Sequence, residues 1–286
     1  MKKIRVFLTT FFALFSVLVI SCTDKKNYAS PPGYDLNKPV KYNMPERLTE
    51  ISGIAFHNGN ADTLYAEDDE EGRVYYFKPG DKEVSHSELG KGGDYEDIAV
   101  LGNQVIILRS DGVFFVYPLA QLTSSVVKDI RKWDNILPQG EYEGLYADEK
   151  TNQLYALCKH CGNEKTSKEC SIYSFTLTAN GAIKSTGKSA IDVQDIAAKL
   201  GQGKISFHPS ALAKNQQTNE WYLLSSVNKI LVITDSSWKV KAVYPLNPGV
   251  FIQPEGIAFD DHNNLYISNE GDIITSGNVL RFSYKK

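Results

Sequence analysis

Of 286 residues, only five are His, four are Cys and two are Met. The histidines (His57, His86, His160, His208 and His262) are scattered, and no H-E-x-x-H pair occurs, which excludes the helical zinc-protease arrangement. Walker loops and G-x-S-x-G elbows are also missing, so P-loop phosphoryl transfer and α/β-hydrolase chemistry lack their signatures. The glycines of "GKGG" (Gly90 to Gly93) are not followed by a helical pattern and read as a connection. No Lys/Arg cluster stands out and the formal charge is −3, which argues against nucleic acid as a partner. The single long apolar run, Phe7 to Ile20, falls short of the ~20 residues that a spanning helix needs.

That run has a basic start (Lys2, Lys3, Arg5) and ends in "VISC" at Cys22. Small residues before a Cys at the end of such a core resemble a bacterial lipobox. The resemblance implies a signal peptide over residues 1–21 and a lipid on Cys22. Acyl chains there would hold the protein to a membrane surface, with the outer membrane as the expected location. Residues 22–40, with "SPPGYDLNKP", read as a polar tether. The remainder, 41–286, reads as a single domain. Loss of the three leader cations would bring the charge to −6, which suits cations or cationic ligands.

The domain is repetitive. "TEISGIAFHNGNADTLYAEDDEEGRVYYF", "DYEDIAVLGNQVIILRSDGVFFVYPL", "EYEGLYADEKTNQLYALCKH", "HPSALAKNQQTNEWYLLSSVNKILVI" and "QPEGIAFDDHNNLYISNEGD" share one order: a short apolar strand, an Asn/Asp/Gly turn, and a second strand. Anchors at Gly53, Asp97, Gly144, Ala211 and Gly256 are spaced by 44, 47, 67 and 45 residues, typical of propeller blades. A third, alternating strand follows in each unit, and fourth strands are expected at "EVSHSEL", "SVVKDI", "AIKSTG" and "KVKAVYPL". The last unit lacks a fourth strand, which "KPVKYNM" can supply and so close the ring. The expected fold is an all-β, five-bladed propeller. Six blades would require the helical-looking insertion near Ala190 to hide another.

In a blade, the loop leading into strand one and the loop leaving strand two share a face. The leading positions are Ser52, Glu96, Glu143, Ser210 and Glu255, and the trailing ones Glu67, Arg109, Lys159, Ser225 and Glu270. They are expected to ring one channel mouth, with His57 and His262 on the opposite face. Three roles are open for them. They could accept backbone N–H bonds and fix turns. Arg109 and Lys159 could neutralise the glutamates. Or Glu96, Glu143 and Glu255 could hold calcium, a hard cation that takes oxygen ligands. The run Glu67 to Glu71 reads as a solvated hairpin tip on this face. Tyr95, Tyr142 and Phe251 read as packing between blades.

Beyond Cys22, Cys158, Cys161 and Cys170 lie in one loop with His160. One disulfide among the three is expected; the pair is not readable from spacing, and a zinc site is the weaker alternative.

The ordered set "DYEDIAV…RSDG", "EYEGLYAD…LCKHC", "HPSALAK…LLSS" and "QPEGIAFDDHNNLYISNE" resembles the SdiA-regulated family of envelope propellers, from about residue 42 to the end. The resemblance implies a propeller. "EGIAFD…LYISNE" is similar, more loosely, to calcium-using phytase-like propellers and lactonases. The expected function is binding of a small ligand, cation or envelope protein at the acidic mouth, with calcium-dependent hydrolysis of phosphate esters or lactones as the alternative.

Overall fold

The computed structural model describes residues 27–162, 164–178 and 180–285. The expected signal peptide, residues 1–21, and Cys22 lie outside the described residues.

Twenty strands form five four-stranded antiparallel sheets. The first blade comprises β2 (Ile51–Phe56), β3 (Leu64–Asp68), β4 (Arg73–Phe77) and β5 (Ser85–Glu88). The second comprises β6 (Tyr95–Leu101), β7 (Gln104–Arg109), β8 (Phe114–Pro118) and β9 (Arg131–Trp133). The third has β10 (Gly140–Asp148), β11 (Gln153–Cys161), β12 (Glu169–Leu177) and β13 (Ile183–Asp192). The fourth has β14 (Ala211–Asn215), β15 (Glu220–Ser225), β16 (Ile230–Thr234) and β17 (Val240–Pro245). In the fifth, β18 (Pro254–Phe259), β19 (Leu265–Asn269) and β20 (Asn278–Phe282) are completed by β1 (Val40–Asn43), which pairs antiparallel to β20 from Val40 opposite Arg281 to Asn43 opposite Asn278. The innermost strands touch in cyclic order β2, β6, β10, β14, β18 and back to β2. The result is a five-bladed propeller.

Period-two alternation gives each blade two buried faces. In the fourth blade Ala211, Ala213, Tyr222 and Leu224 pack toward the fifth, while Leu212, Trp221 and Leu223 pack toward the third. The core is accordingly five apolar clusters, one between each pair of adjacent blades. The turns between first and second strands follow their composition: Asn58, Gly102, Asn152, Asn219 and Asn263 all take positive φ, a conformation that Asn and Gly tolerate.

The insertion near Ala190 is not a blade. β13 runs through it to Asp192, whose side chain caps the helix α1 (Val193–Lys199) by accepting the Gln194 N–H at 2.8 Å. Two details differ from the sequence reading, and the one expected disulfide acquires its pair. The fourth strand of blade two is Arg131–Trp133 rather than "SVVKDI"; Val126 instead bridges to Glu88 of the neighbouring blade. The stretch expected as a tether is docked where Tyr34 and Leu36 bury themselves in the cluster between blades four and five. The Tyr34 hydroxyl also donates to the Asn263 carbonyl at 2.7 Å. The disulfide joins Cys158 to Cys161, leaving Cys170 a buried thiol whose pKa burial pushes up.

Where blades converge there is no room for a side chain. A Cβ on Gly256 would sit 2.5 Å from the Ser52 carbonyl oxygen of the next blade and 2.4 Å from Ser268 Oγ. Gly256→Ala is therefore expected to cost about 1–3 kcal/mol through overpacking. Thermal denaturation should show it as a drop of roughly 2–4 °C per kcal/mol for a domain of this size.

Candidate functional site

The leading residues lie on a recurrent irregularity. Each of β2, β6, β10 and β18 shifts register against its partner at this point: between Ile51 and Ile54, Tyr95 and Asp97, Tyr142 and Gly144, and Pro254 and Gly256. The residues caught in the shift are Ser52, Glu96, Glu143 and Glu255. A bulge re-aims a side chain out of the sheet's alternation, and here it frees these residues from packing between blades. In blade four Ser210 directly precedes β14, its N–H bonded to the Leu224 carbonyl at 2.9 Å.

The hydroxyls and one carboxylate fix the scaffold. Ser52 Oγ donates to the Glu96 carbonyl at 3.1 Å and Ser210 Oγ to the Pro254 carbonyl at 2.7 Å, each across a blade junction. Ser225 Oγ donates to the His208 carbonyl and accepts the Asn228 N–H at 3.0 Å. Glu67 is fully buried; its Oε1 accepts the Gly53 N–H at 2.8 Å while Oε2 has no partner. Glu67 and Asp68 are thus interior, and only Glu70 and Glu71 match the solvated tip expected of this run. Sequence reasoning passed over Asp97 as a bare anchor. It accepts from Ile98 N at 2.8 Å and from Leu145 N of the next blade at 2.6 Å, pinning two blades together.

The remaining acids converge. Burial first, then the Glu143 charge, raises the pKa of Glu96, and Glu143 is raised chiefly by its own burial. Lys159 bonds Glu143 and lies 3.1 Å from Glu141. Glu255 is pushed up to about 8 by burial and by Glu143 and Glu270. Glu270, which accepts from Gln253, is raised to about 6 by burial and Glu50. Arg109 does not join the glutamates: its guanidinium grips Asp111 through two bonds of 2.9 and 2.7 Å and lies over Phe115.

One close group adds two residues that sequence reasoning did not single out. Ligand oxygens of Asp69, Asp94 and Glu96 all lie within 4.8 Å of one another. Asp69 comes from the loop after β3, Asp94 from the residue before β6 and Glu96 from β6 itself. The loops are stapled by Tyr95 N–H to the Asp69 carbonyl at 3.0 Å and Gly93 N–H to the Glu70 carbonyl at 3.1 Å. Asp69 is raised to about 7 by burial and by the charges of Asp94, Glu270, Glu50 and Asp68. The signal for Asp94 was its place two residues before a leading Glu. For Asp69 it was the acidic run. Such a set of hard oxygen donors, drawn together without a paired cation, fits a calcium-like ion. Glu143, with Lys159 on it, is less suited to that role than the sequence suggested.

Raised carboxylates make the fold pH-sensitive in a defined direction. Unfolded, these groups lose their protons near pH 4; folded, Glu270, Asp69 and Glu255 hold them to about 6, 7 and 8. Between those limits the folded chain binds more protons, so stability declines as pH rises. The carboxylates with lowered pKa, Asp35, Asp62, Asp111 and Asp272, act below this window. In chelator, the melting temperature is expected to fall from pH 5 to pH 8, and Glu255→Gln should reduce that fall.

The family model described as SdiA-regulated matches residues 30–274. None of the curated proteins matches the sequence. Among solved structures, glutaminyl cyclase from Myxococcus xanthus is similar at TM-score 0.56 and 13% identity, over 86% of this chain and 96% of that one. The PQQ-bound aldose sugar dehydrogenase from Streptomyces coelicolor is similar at 0.56 and 12%, over 90% and 100%. Regucalcin from Agrobacterium tumefaciens, described as a calcium-binding protein, is similar at 0.51 and 12%, over 88% and 93%. At such identities the likeness is one of fold, and the three functions differ. With the sequence match spanning most of the ring, the chain belongs to the SdiA-regulated family.

Proposed function

We propose that this protein is a cell-envelope propeller, anchored by lipid on Cys22, whose acidic channel mouth binds a divalent cation such as calcium. With the cation it would take up a small ligand or an envelope protein, without chemistry of its own. The observation that carries the reading is the convergence of Asp69, Asp94 and Glu96 within 4.8 Å. Two neighbouring cationic side chains are committed elsewhere, Arg109 to Asp111 and Lys159 to Glu141 and Glu143. Like charges held this close call for a counter-ion or for protonation. Asp69, Asp94 and Glu96 would hold the ion, with Glu67, whose charge acts on Glu96, adding a buried oxygen, Oε2, that lacks a hydrogen-bond partner. The calcium-binding description of the regucalcin neighbour agrees with this choice of ion.

The alternative is a calcium-dependent hydrolase of phosphate esters or lactones. Such an enzyme needs a base beside the ion that is free to take a proton. Glu143 is held by Lys159, which favours binding over catalysis.

Calorimetry of the purified protein with calcium is expected to show one ion per chain. At a hundredfold excess over Kd, stability should rise by about 2.7 kcal/mol. Asp69→Asn and Glu96→Gln should each abolish both signals while the protein stays folded in chelator. A folded wild type that gives neither heat nor a melting shift with calcium refutes the site. The anchor is tested separately: Cys22→Ala should move the protein from the membrane pellet to the soluble fraction, and a wild type found soluble would remove it.

A further inference from the structure

The other end of the channel has a different chemistry. A cavity of about 380 Å³ opens among the turns that join first to second strands, on the face away from the acidic mouth. All five blades contribute to it. The first strands give it an apolar wall, Ile54, Ile98, Leu145 and Ile257, with alanines such as Ala55 and Ala99 where a larger side chain would fill the space, while the turns give it a polar rim that includes Lys150, Gln216 and Gln217. The lining alanines Ala55 and Ala147, together with Phe259, keep part of their surface uncovered.

Two polar atoms in this lining lack partners. Asn263 is 2% exposed, and its Nδ2 makes no hydrogen bond. Its carbonyl is used by Tyr34, so the residue is held in place while its donor is not. Glu149 Oε2 accepts the Gly102 N–H at 3.2 Å, but the buried Oε1 has no hydrogen bond. The nearest cationic candidate, His57 Nε2, stands 3.6 Å from it, beyond hydrogen-bond reach. Two other charges on the rim are satisfied, and Lys150 stands there as well. Lys214 pairs with Asp148 at 3.1 Å, and Asp260 accepts the His262 and Asn264 N–H groups and the Asn264 amide. A buried donor and a buried acceptor left open beside an apolar wall each cost free energy unless a ligand satisfies them. Ligand pockets of a few hundred Å³ share this composition, apolar walls with a few placed polar groups.

We propose that this cavity is a second binding site, independent of the acidic mouth, for a compact apolar molecule bearing a hydroxyl. The apolar body fills the space between the first strands. The hydroxyl donates to Glu149 Oε1 or accepts from Asn263 Nδ2. A carboxylate on the ligand is disfavoured beside the Glu149 carboxylate.

Naphthalenemethanol serves as a probe, its methyl ether as the form that cannot donate, and naphthoate as the anionic form. Calorimetry and saturation-transfer NMR with the purified full chain, against a detergent blank, should show saturable one-to-one binding of the alcohol. The ether and the naphthoate should bind about tenfold more weakly, the loss expected for about one hydrogen bond. Glu149→Gln should weaken the alcohol by a similar factor without changing the melting temperature much, and Asn263→Gly, which removes the donor and suits the positive φ of 63°, should weaken it likewise. Ala55→Leu and Ala147→Leu, which fill the cavity from different blades, should abolish binding; if one fails to fold, the other still decides. Absence of saturable binding, or binding untouched by both polar substitutions and a folded filling variant, overturns the proposal. Calcium should leave the affinity for the alcohol unchanged, so failure of this site and failure of the acidic mouth are separately visible.

Discussion

Pairing of β1 with β20 is the contact on which the ring depends. Four blades are built from consecutive strands, but the fifth borrows its outer strand from the other end of the domain. The backbone hydrogen bonds of that pair cover an edge that would otherwise be open. They also hold β18 against both β14 and β2, and only then do five first strands face one axis. Every cross-blade bond described above, from Ser52 to Glu96 and from Asp97 to Leu145, presupposes that circle.

A closed ring can hold groups that repel one another. Asp69, Asp94, Glu96, Glu143, Glu255 and Glu270 come from four blades and share one rim, and burial raises the pKa of five of them. Nothing local rewards that arrangement. It persists because the five apolar clusters between blades dominate the stability and tolerate a costly mouth. Energy stored in this way is available to a cation, whose binding would relieve the repulsion.

The two ends of the channel differ because the same five strands change character along their length. At one end the register shifts turn Glu96, Glu143 and Glu255 out of the sheet. Three residues on, the strands carry Ala99, Tyr146 and Ala258, with Ala55 and Ala213 at the matching places, and the channel widens into an apolar space. An acidic rim and an apolar pocket on opposite faces suit two different kinds of ligand.

Much of this was legible in the linear pattern. The repeat spacing, the alternation of apolar residues and the Asn-rich turns specify blades, since each is a local consequence of backbone geometry and of burying two faces. Ring closure by "KPVKYNM" followed from the missing outer strand of the last unit, and the gathering of Glu96, Glu143 and Glu255 on one face followed from the meander. Other features belong to side-chain packing that the linear pattern does not encode. The salt bridge of Arg109 to Asp111 rather than to a glutamate turns on side-chain reach, and the burial of Glu67 on the packing of blade one against blade two. Cys158 meets Cys161 where both pack into the cluster between blades two and three, whereas Cys170 packs into the cluster between blades three and four. Period and composition alone set the number and order of strands; which charges are left without partners is settled only when the blades close, because that depends on distances that no local pattern encodes.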